Sequence, residues 1–213
     1  MSRQPEPIFT ANERDILQEV MNIGFGKASA DLAEVIDIYV VLSVPEVALL
    51  DASELAGYIG GEIRDFERIS VVEQSFMGRF QGVALLIFPS EAGRKLISIL
   101  GQEDEQTALH SVALLERETL MEVGNILIGA CVGKLAELLD DQIAYSPPRV
   151  LVEDDPRETV TRDMFNPDST AIVMRTLFSF ENENISGYLF LITRNESIAW
   201  MVSALHSFME RYE

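Results

Sequence analysis

The sequence predicts an α+β fold in a single domain made by internal duplication, with two long helices packed on an antiparallel β-sheet about a pseudo-two-fold axis. Three observations predict it. A polar frame occurs twice: Asp15-x3-Glu19-x2-Asn22-x22-Pro45 returns 103 positions later as Glu118-x3-Glu122-x2-Asn125-x22-Pro148. The same offset joins Ile23 to Ile126, Gly26 to Gly129, Leu32 to Leu135 and Asp37 to Asp140. Further on it becomes 105, where Gly82 meets Gly187 and Leu100 meets Leu205. A period of that length is too long for a solenoid unit and implies paired halves. Second, the order helix, strand, hairpin, helix recurs in each half. Third, the connection from Gly101 to Gln106 is short and acidic, and short connections separate independent modules poorly. The halves are expected at 11–100 and 107–213.

Thr10 followed by Glu13 fits a capping box, so a helix is expected from near Ala11 to about Ile36. Tyr39 to Val44 is β-branched and apolar and reads as a strand ended by Pro45. Asp51 to Gly57 has the composition of a helical turn that Gly60-Gly61 breaks. Ile69 to Met77 and Val83 to Phe88 read as a hairpin closed through Gly78 and Gly82. Ser90 suits the cap of a helix over Glu91 to Leu100. In the second half a long helix is expected from Ser111 to Leu139 and a strand near Val150, followed by an acidic loop from Glu153 to Ser169. Strands at Ala171 to Phe180 and Ile185 to Thr193 and a last helix capped by Asn195 complete the order. The turn Glu181-Asn182-Glu183-Asn184 is the expected home of the two residues by which the offset grows.

Apolar residues make up 47% of the chain, enough for a packed interior. The formal charge of −19 opposes a phosphate backbone, which needs clustered Lys and Arg, so nucleic acid is excluded as a partner. Cys131 is the single cysteine and sits among Ile126, Leu127, Ile128, Val132 and Leu135, which reads as a buried structural thiol. Met1 to Thr10 has no signal-peptide pattern. The longest apolar run, Val83 to Phe88, is far short of the roughly 20 residues that span a bilayer. A cytoplasmic protein without membrane insertion is expected.

A helix advances about 100° per residue, so Asp15, Glu19, Asn22 and Gly26 fall in a band about 60° wide. Ile16, Val20 and Ile23 form an adjacent packing band, as Val123 and Ile126 do beside Glu118, Glu122, Asn125 and Gly129. A lone Glu-x-x-Asn is ordinarily a solvated helix edge. Asparagine is a mediocre helix former, however, and an exposed edge gives no reason to place it identically in both halves. Inherited packing, such as Asn bonding a neighbouring loop, is the bland alternative. His110 and His206 lie far from both bands in sequence and lack ligand spacing, so zinc chemistry and nucleophilic triads find no support, and no metal is expected. A carboxamide carries a donor and an acceptor and can hold a water in line with phosphorus. A carboxylate beside it can pair with a lysine. Such a set is incomplete alone and implies that the remaining groups arrive on the substrate.

The doubled frame resembles the signature of the CheC, CheX and FliY phosphatases of bacterial and archaeal chemotaxis, which dephosphorylate the response regulator CheY. Two frames make it most similar to the CheC type. The resemblance implies a hydrolase of two-component signalling in which Asn22 and Asn125 position the attacking water and Glu19 and Glu122 anchor the lysine of the receiver. Asp15, Glu118, Pro45 and Pro148 are supporting positions, the prolines fixing the chain rather than touching substrate. Magnesium and the phosphorylated aspartate belong to the receiver, so no cofactor of its own is implied. A CheD-like protein is a further implied partner, and a non-catalytic adaptor gripping a receiver or that protein is the alternative role. The flagellar switch protein FliM shares the fold but lacks the Glu and Asn pair. Two departures stand out. Glu118 replaces the Asp or Ser of the pattern, and Met21 stands where the second frame has Gly124, with the expectation of added bulk between Glu19 and Asn22.

Overall fold

The structure, a computed structural model, describes residues 10–36, 39–99, 112–153, 170–181, 183–193 and 197–212. Helix α1 spans Ala11–Ile36. It starts where the capping box places it: the Thr10 N–H donates to Glu13 Oε2 at 2.7 Å, and the Glu13 N–H donates to Thr10 Oγ1 at 3.2 Å. Two amides that a helix start leaves orphaned are thereby satisfied. Its counterpart α4 spans Val112–Leu138. Asp140 ends it in the left-handed region (φ 58°), with the Asp141 N–H on the Ala136 carbonyl at 2.9 Å and the Asp140 N–H on the Glu137 carbonyl at 3.3 Å. That is a Schellman stop in which aspartate takes the usual place of glycine.

The hairpins form β3 (Ile69–Met77) with β4 (Gly82–Pro89), and β7 (Thr170–Phe180) with β8 (Ile185–Thr193). Leu85 pairs with Phe190 at the centre, joining β4 to β8 and the two hairpins into one sheet. Phe76 faces Gly82 in the first hairpin, and the matching Phe178 faces Gly187 in the second. Both connections are four residues long, 78–81 and 181–184, so the turn is not where the second half grows, contrary to the sequence expectation. The second hairpin instead extends past Phe178 and Gly187 by the pairs Ser179 with Ser186 and Phe180 with Ile185, and Asn184 takes a positive φ of 48°.

The remaining strands are exchanged between the halves. β1 (Val40–Leu42) and β2 (Glu46–Asp51) both lie antiparallel on β7, while β5 (Ala144–Tyr145) and β6 (Arg149–Glu153) both lie on β3. The eight-stranded sheet therefore runs β1/β2, β7, β8, β4, β3, β5/β6, with the pseudo-two-fold axis between β8 and β4. Pro45 does not end the strand, contrary to the sequence expectation. Leu42 pairs with Phe178 and Glu46 with Arg175, so residues 43–45 bulge opposite two residues of β7 and the ladder resumes. Pro148 occupies the same place between Tyr145, which faces Phe76, and Arg149, which faces Glu73. A bulge is where a residue without an N–H fits a sheet.

Apolar residues cover both faces of the sheet, which explains the unbroken run at Val83–Phe88. Leu86 and Phe88 face the layer of α1, α4, α3 (Ala92–Ile99) and α5 (Ile198–Tyr212). Leu85 and Ile87 face Leu55 and Ile59 of α2 (Leu55–Glu62). Helix α2 continues through Gly60-Gly61, which the sequence predicts as a breaker. Burial of Leu55, Ile59 and Ile63 outweighs two glycines in its last turn, each worth about 1 kcal/mol. Leu100, Ser111, Asn195 and the acidic loop beyond Glu153 lie outside the described residues. Helix α4 is long and apolar enough to cross a membrane by length and composition, unlike the run at Val83–Phe88, but 56% of its apolar window is buried inside the fold.

Two outcomes follow for the helix start. Thr10→Ala is expected to lower the unfolding free energy by about 1 kcal/mol in urea titrations at neutral pH. Glu13 is held below its ordinary 4.5, first by the Thr10 backbone N–H and also by nearby His206. A depressed carboxylate contributes stability that is present above 4.5 and lost as pH falls through the lower folded value. Across that acid window the wild type is expected to lose more stability than Glu13→Gln.

Candidate functional site

Each long helix presents a polar edge to solvent. On α1, Asp15, Glu19, Asn22 and Gly26 are all exposed, while Leu17, Val20, Met21 and Phe25 on the adjacent faces are buried. On α4, Glu118, Glu122 and Asn125 are exposed and Gly129 is half-buried, above a floor of Leu120, Val123, Leu127 and Ile128. Spacings of four, three and four keep these groups in register along one edge, and the core positions fall between them. Among the described residues, the side chains of Asp15, Glu19, Asn22, Glu118 and Glu122 make no hydrogen bond or ion pair. Apart from Asn125, whose partner is described below, each edge is thus a set of unspent donors and acceptors.

Packing fixes where the edges point. Glu13 at the start of α1 lies 3.3 Å from His206, and the Leu138 carbonyl at the end of α4 accepts from Arg211 at 3.0 Å. Both partners are on α5, so α1 and α4 run antiparallel, in contact where Gly24 meets Leu138 and Leu135. The two edges are consequently displaced toward opposite ends of the pair. Pro45 is buried and Pro148 half-buried at the two strand bulges, and both serve the sheet.

Met21 adds no bulk to the polar edge, contrary to the sequence expectation. Position i+2 from Glu19 points inward, and Met21 is fully buried in the main core. Its partner Gly124 has a different consequence. A Cβ there would lie 2.6 Å from Val72 Cγ1, so α4 rests directly on β3, whereas α1 is spaced by a whole methionine side chain. Sequence reasoning missed what this brings together. Gln74 of β3, 2% exposed, donates from Nε2 to Asn125 Oδ1 at 2.9 Å and to the Ser146 carbonyl at 2.9 Å. The pairing of Phe76 with Gly82 and of Phe178 with Gly187 puts Thr176 at the matching place, and its Oγ1 donates to the Ser43 carbonyl at 2.7 Å. A Gln alternating with Val72 and Phe76 on the core-facing side of a strand was the available signal.

Other reactive groups are committed elsewhere. Cys131 is completely buried, and desolvation pushes its thiol up to about 12. Tyr145, also pushed up to about 12 by burial and then by the nearby thiol, donates to the Gly129 carbonyl at 3.4 Å. Among the described residues no three His, Cys, Asp or Glu side chains gather in one place; His110 lies outside them.

A duplicated α+β body with one open acid and carboxamide edge on each long helix is the class of protein this geometry defines. The model of the CheC-like family matches residues 13–49 and 115–152, one frame in each half. It is 29% identical over 142 residues to the CheY-P phosphatase CheC of Bacillus subtilis, covering 66% of each chain. It is 23% identical over 161 residues to the flagellar motor switch phosphatase FliY of the same organism, covering 76% of this chain and 40% of that one. The matches thus span about two thirds and two fifths of those relatives. The crystal structure of Thermotoga maritima FliY shares the fold, with a TM-score of 0.71 at 18% identity over 95% of this chain and all of that one.

The unequal surroundings of the two asparagines have a measurable consequence. Asn22→Ala is expected to change the unfolding free energy by no more than about 0.5 kcal/mol, as for a surface side chain without partners. Asn125→Ala is expected to cost about 1–3 kcal/mol, because it strands a buried Gln74 N–H. Paired denaturant titrations check both values.

Proposed function

We propose that the chain is a cytoplasmic phosphatase that hydrolyses the aspartyl phosphate of a CheY-like receiver domain. The observation that carries this reading is the duplicated, solvent-facing Glu and Asn edge with no internal partner for either Glu among the described residues. The names of the two Bacillus relatives, a CheY-P phosphatase and a motor switch phosphatase, point the same way. Neither edge contains a nucleophile, so each supplies position alone.

In this reading Glu19 or Glu122 accepts hydrogen bonds from the receiver lysine and seats the helix edge across the phosphoryl group. Asn22 or Asn125 then reaches into the receiver and orients a water opposite the aspartyl oxygen. The water oxygen bonds to phosphorus as the bond from phosphorus to the aspartyl oxygen breaks. The carboxylate leaves with that electron pair, and the surplus water proton ends on the released phosphate. A well-aligned water can lower such a barrier by up to about 7–11 kcal/mol in the best cases. Magnesium is expected on the receiver, and this chain needs no cofactor of its own. Asp15 and Glu118 extend the acidic contact one turn further.

The glycines fit the same reading. A Cβ at Gly26 or at Gly129 would meet nothing within 4 Å, so neither is demanded by internal packing. Mid-helix glycine costs about 0.5–1 kcal/mol relative to alanine, and bare backbone on the edge suits the close approach of another chain.

Two experiments test this. Asn22→Ala combined with Asn125→Ala is expected to slow phosphate release from a phosphorylated receiver on the order of 100-fold, as when one preorganised group is removed from a reaction centre, with complex formation largely kept. Unchanged release would leave docking, to a receiver or a CheD-like partner, as the role of the edges. Gly26→Ala is expected to raise stability by about 0.5–1 kcal/mol while weakening receiver binding in a titration with Glu122→Lys as background, a reversal that repels the receiver lysine from the other edge.

A further inference from the structure

Gln74 and Thr176 occupy matched positions on β3 and β7, and both satisfy the carbonyl of a matched serine, Ser146 for one and Ser43 for the other. The surrounding ladder is the same on both sides: the Ser75 N–H donates to Ser146 Oγ at 3.0 Å, and the Leu177 N–H donates to Ser43 Oγ at 3.0 Å. The difference is one donor. A hydroxyl has a single hydrogen, which Thr176 spends on the strand, whereas the Gln74 amide has two and sends the second to Asn125.

A carbonyl oxygen only accepts, so Ser146 fixes which end of Gln74 faces it. The second N–H then fixes Asn125, whose Oδ1 must turn inward to accept it and whose Nδ2 must turn outward. Gln74 Oε1 is buried with no hydrogen-bond partner among the described residues. An orphaned buried acceptor costs about 1–3 kcal/mol, a penalty that an apolar residue at this position would avoid. Gly124 makes the reach possible by letting α4 rest on Val72, two residues away on β3.

We propose that Gln74 is a positioning residue that locks the Asn125 carboxamide with its amide nitrogen facing the visiting receiver, so that the two sites of this chain are unequal. The α4 site is ordered before the partner arrives. The α1 site orders Asn22 only on binding, and a group already held in its working geometry loses less freedom at that step. The role of Gln74 in turnover rests on the phosphatase reading above, whereas the lock itself does not.

Two measurements judge it. In phosphate release, Gln74→Leu in an Asn22→Ala background is expected to lower kcat about three- to tenfold, the worth of one neutral hydrogen bond in rate, with KM within about twofold. In an Asn125→Ala background it is expected to change nothing. Equal losses in both backgrounds, as from damaged packing, or no loss in either, would overturn the positioning role. In the free protein, side-chain amide relaxation by NMR is expected to give Asn125 a high order parameter and Asn22 one below about 0.6, with Asn125 falling toward the Asn22 value in Gln74→Leu. Equal mobility of the two asparagines in the wild type would overturn the lock whether or not any receiver is dephosphorylated. Absence of phosphate release from the wild type, with the amide pattern as expected, would overturn the phosphatase reading and leave the lock standing.

Discussion

The backbone ladders that cross between the halves are the constraint on which the rest of the molecule depends. Strands β1 and β2 follow α1 in the chain but hydrogen-bond to β7, and β5 and β6 follow α4 but hydrogen-bond to β3. Each long helix is therefore anchored through strands that belong to the other half. Neither half can satisfy its own strand edges, because unpaired ladder groups would be left exposed on β3 or β7. The sheet, the antiparallel helix pair and the two polar edges are consequently one construction.

That construction explains why the edges can be open. With the inward faces of both helices committed to a shared core, the side chains of Asp15, Glu19, Asn22, Glu118 and Glu122 make no internal hydrogen bond or ion pair among the described residues, and Asn125 makes one. The sides are alike in topology and unlike in detail. Where α1 keeps Met21 against the sheet, α4 has Gly124 and sits closer, and this closeness turns a strand glutamine into a support for the edge asparagine. The two frames are alike in sequence, and their packing against the sheet is not.

Much of this was legible in the sequence. The repeat of the frame placed both long helices, both hairpins and the polar edges, because helix periodicity and hairpin glycines are local signals. Pro45 and Pro148 misled, since a proline reads as the end of a strand unless the partner strand is known, and the bulges at 43–45 and 146–148 exist only in register with β7 and β3. Helix α2 was cut short for a similar reason, its two glycines being outweighed by burial of Ile59 and Ile63 against a distant sheet face. Gln74 escaped because the offset that aligns the helices misaligns the hairpins. Its counterpart Thr176 emerges only from the pairing of Phe178 with Gly187.

The central claim is that each helix edge completes a reaction centre carried by another protein. The most direct test is a structure of the complex between this chain and a receiver domain bearing a stable phosphoryl mimic. The account predicts that the carboxamide of Asn22 or Asn125 lies within hydrogen-bond reach of the mimic, with Glu19 or Glu122 on the receiver lysine. A receiver seated away from both edges, or held with neither asparagine near the phosphoryl position, would contradict it.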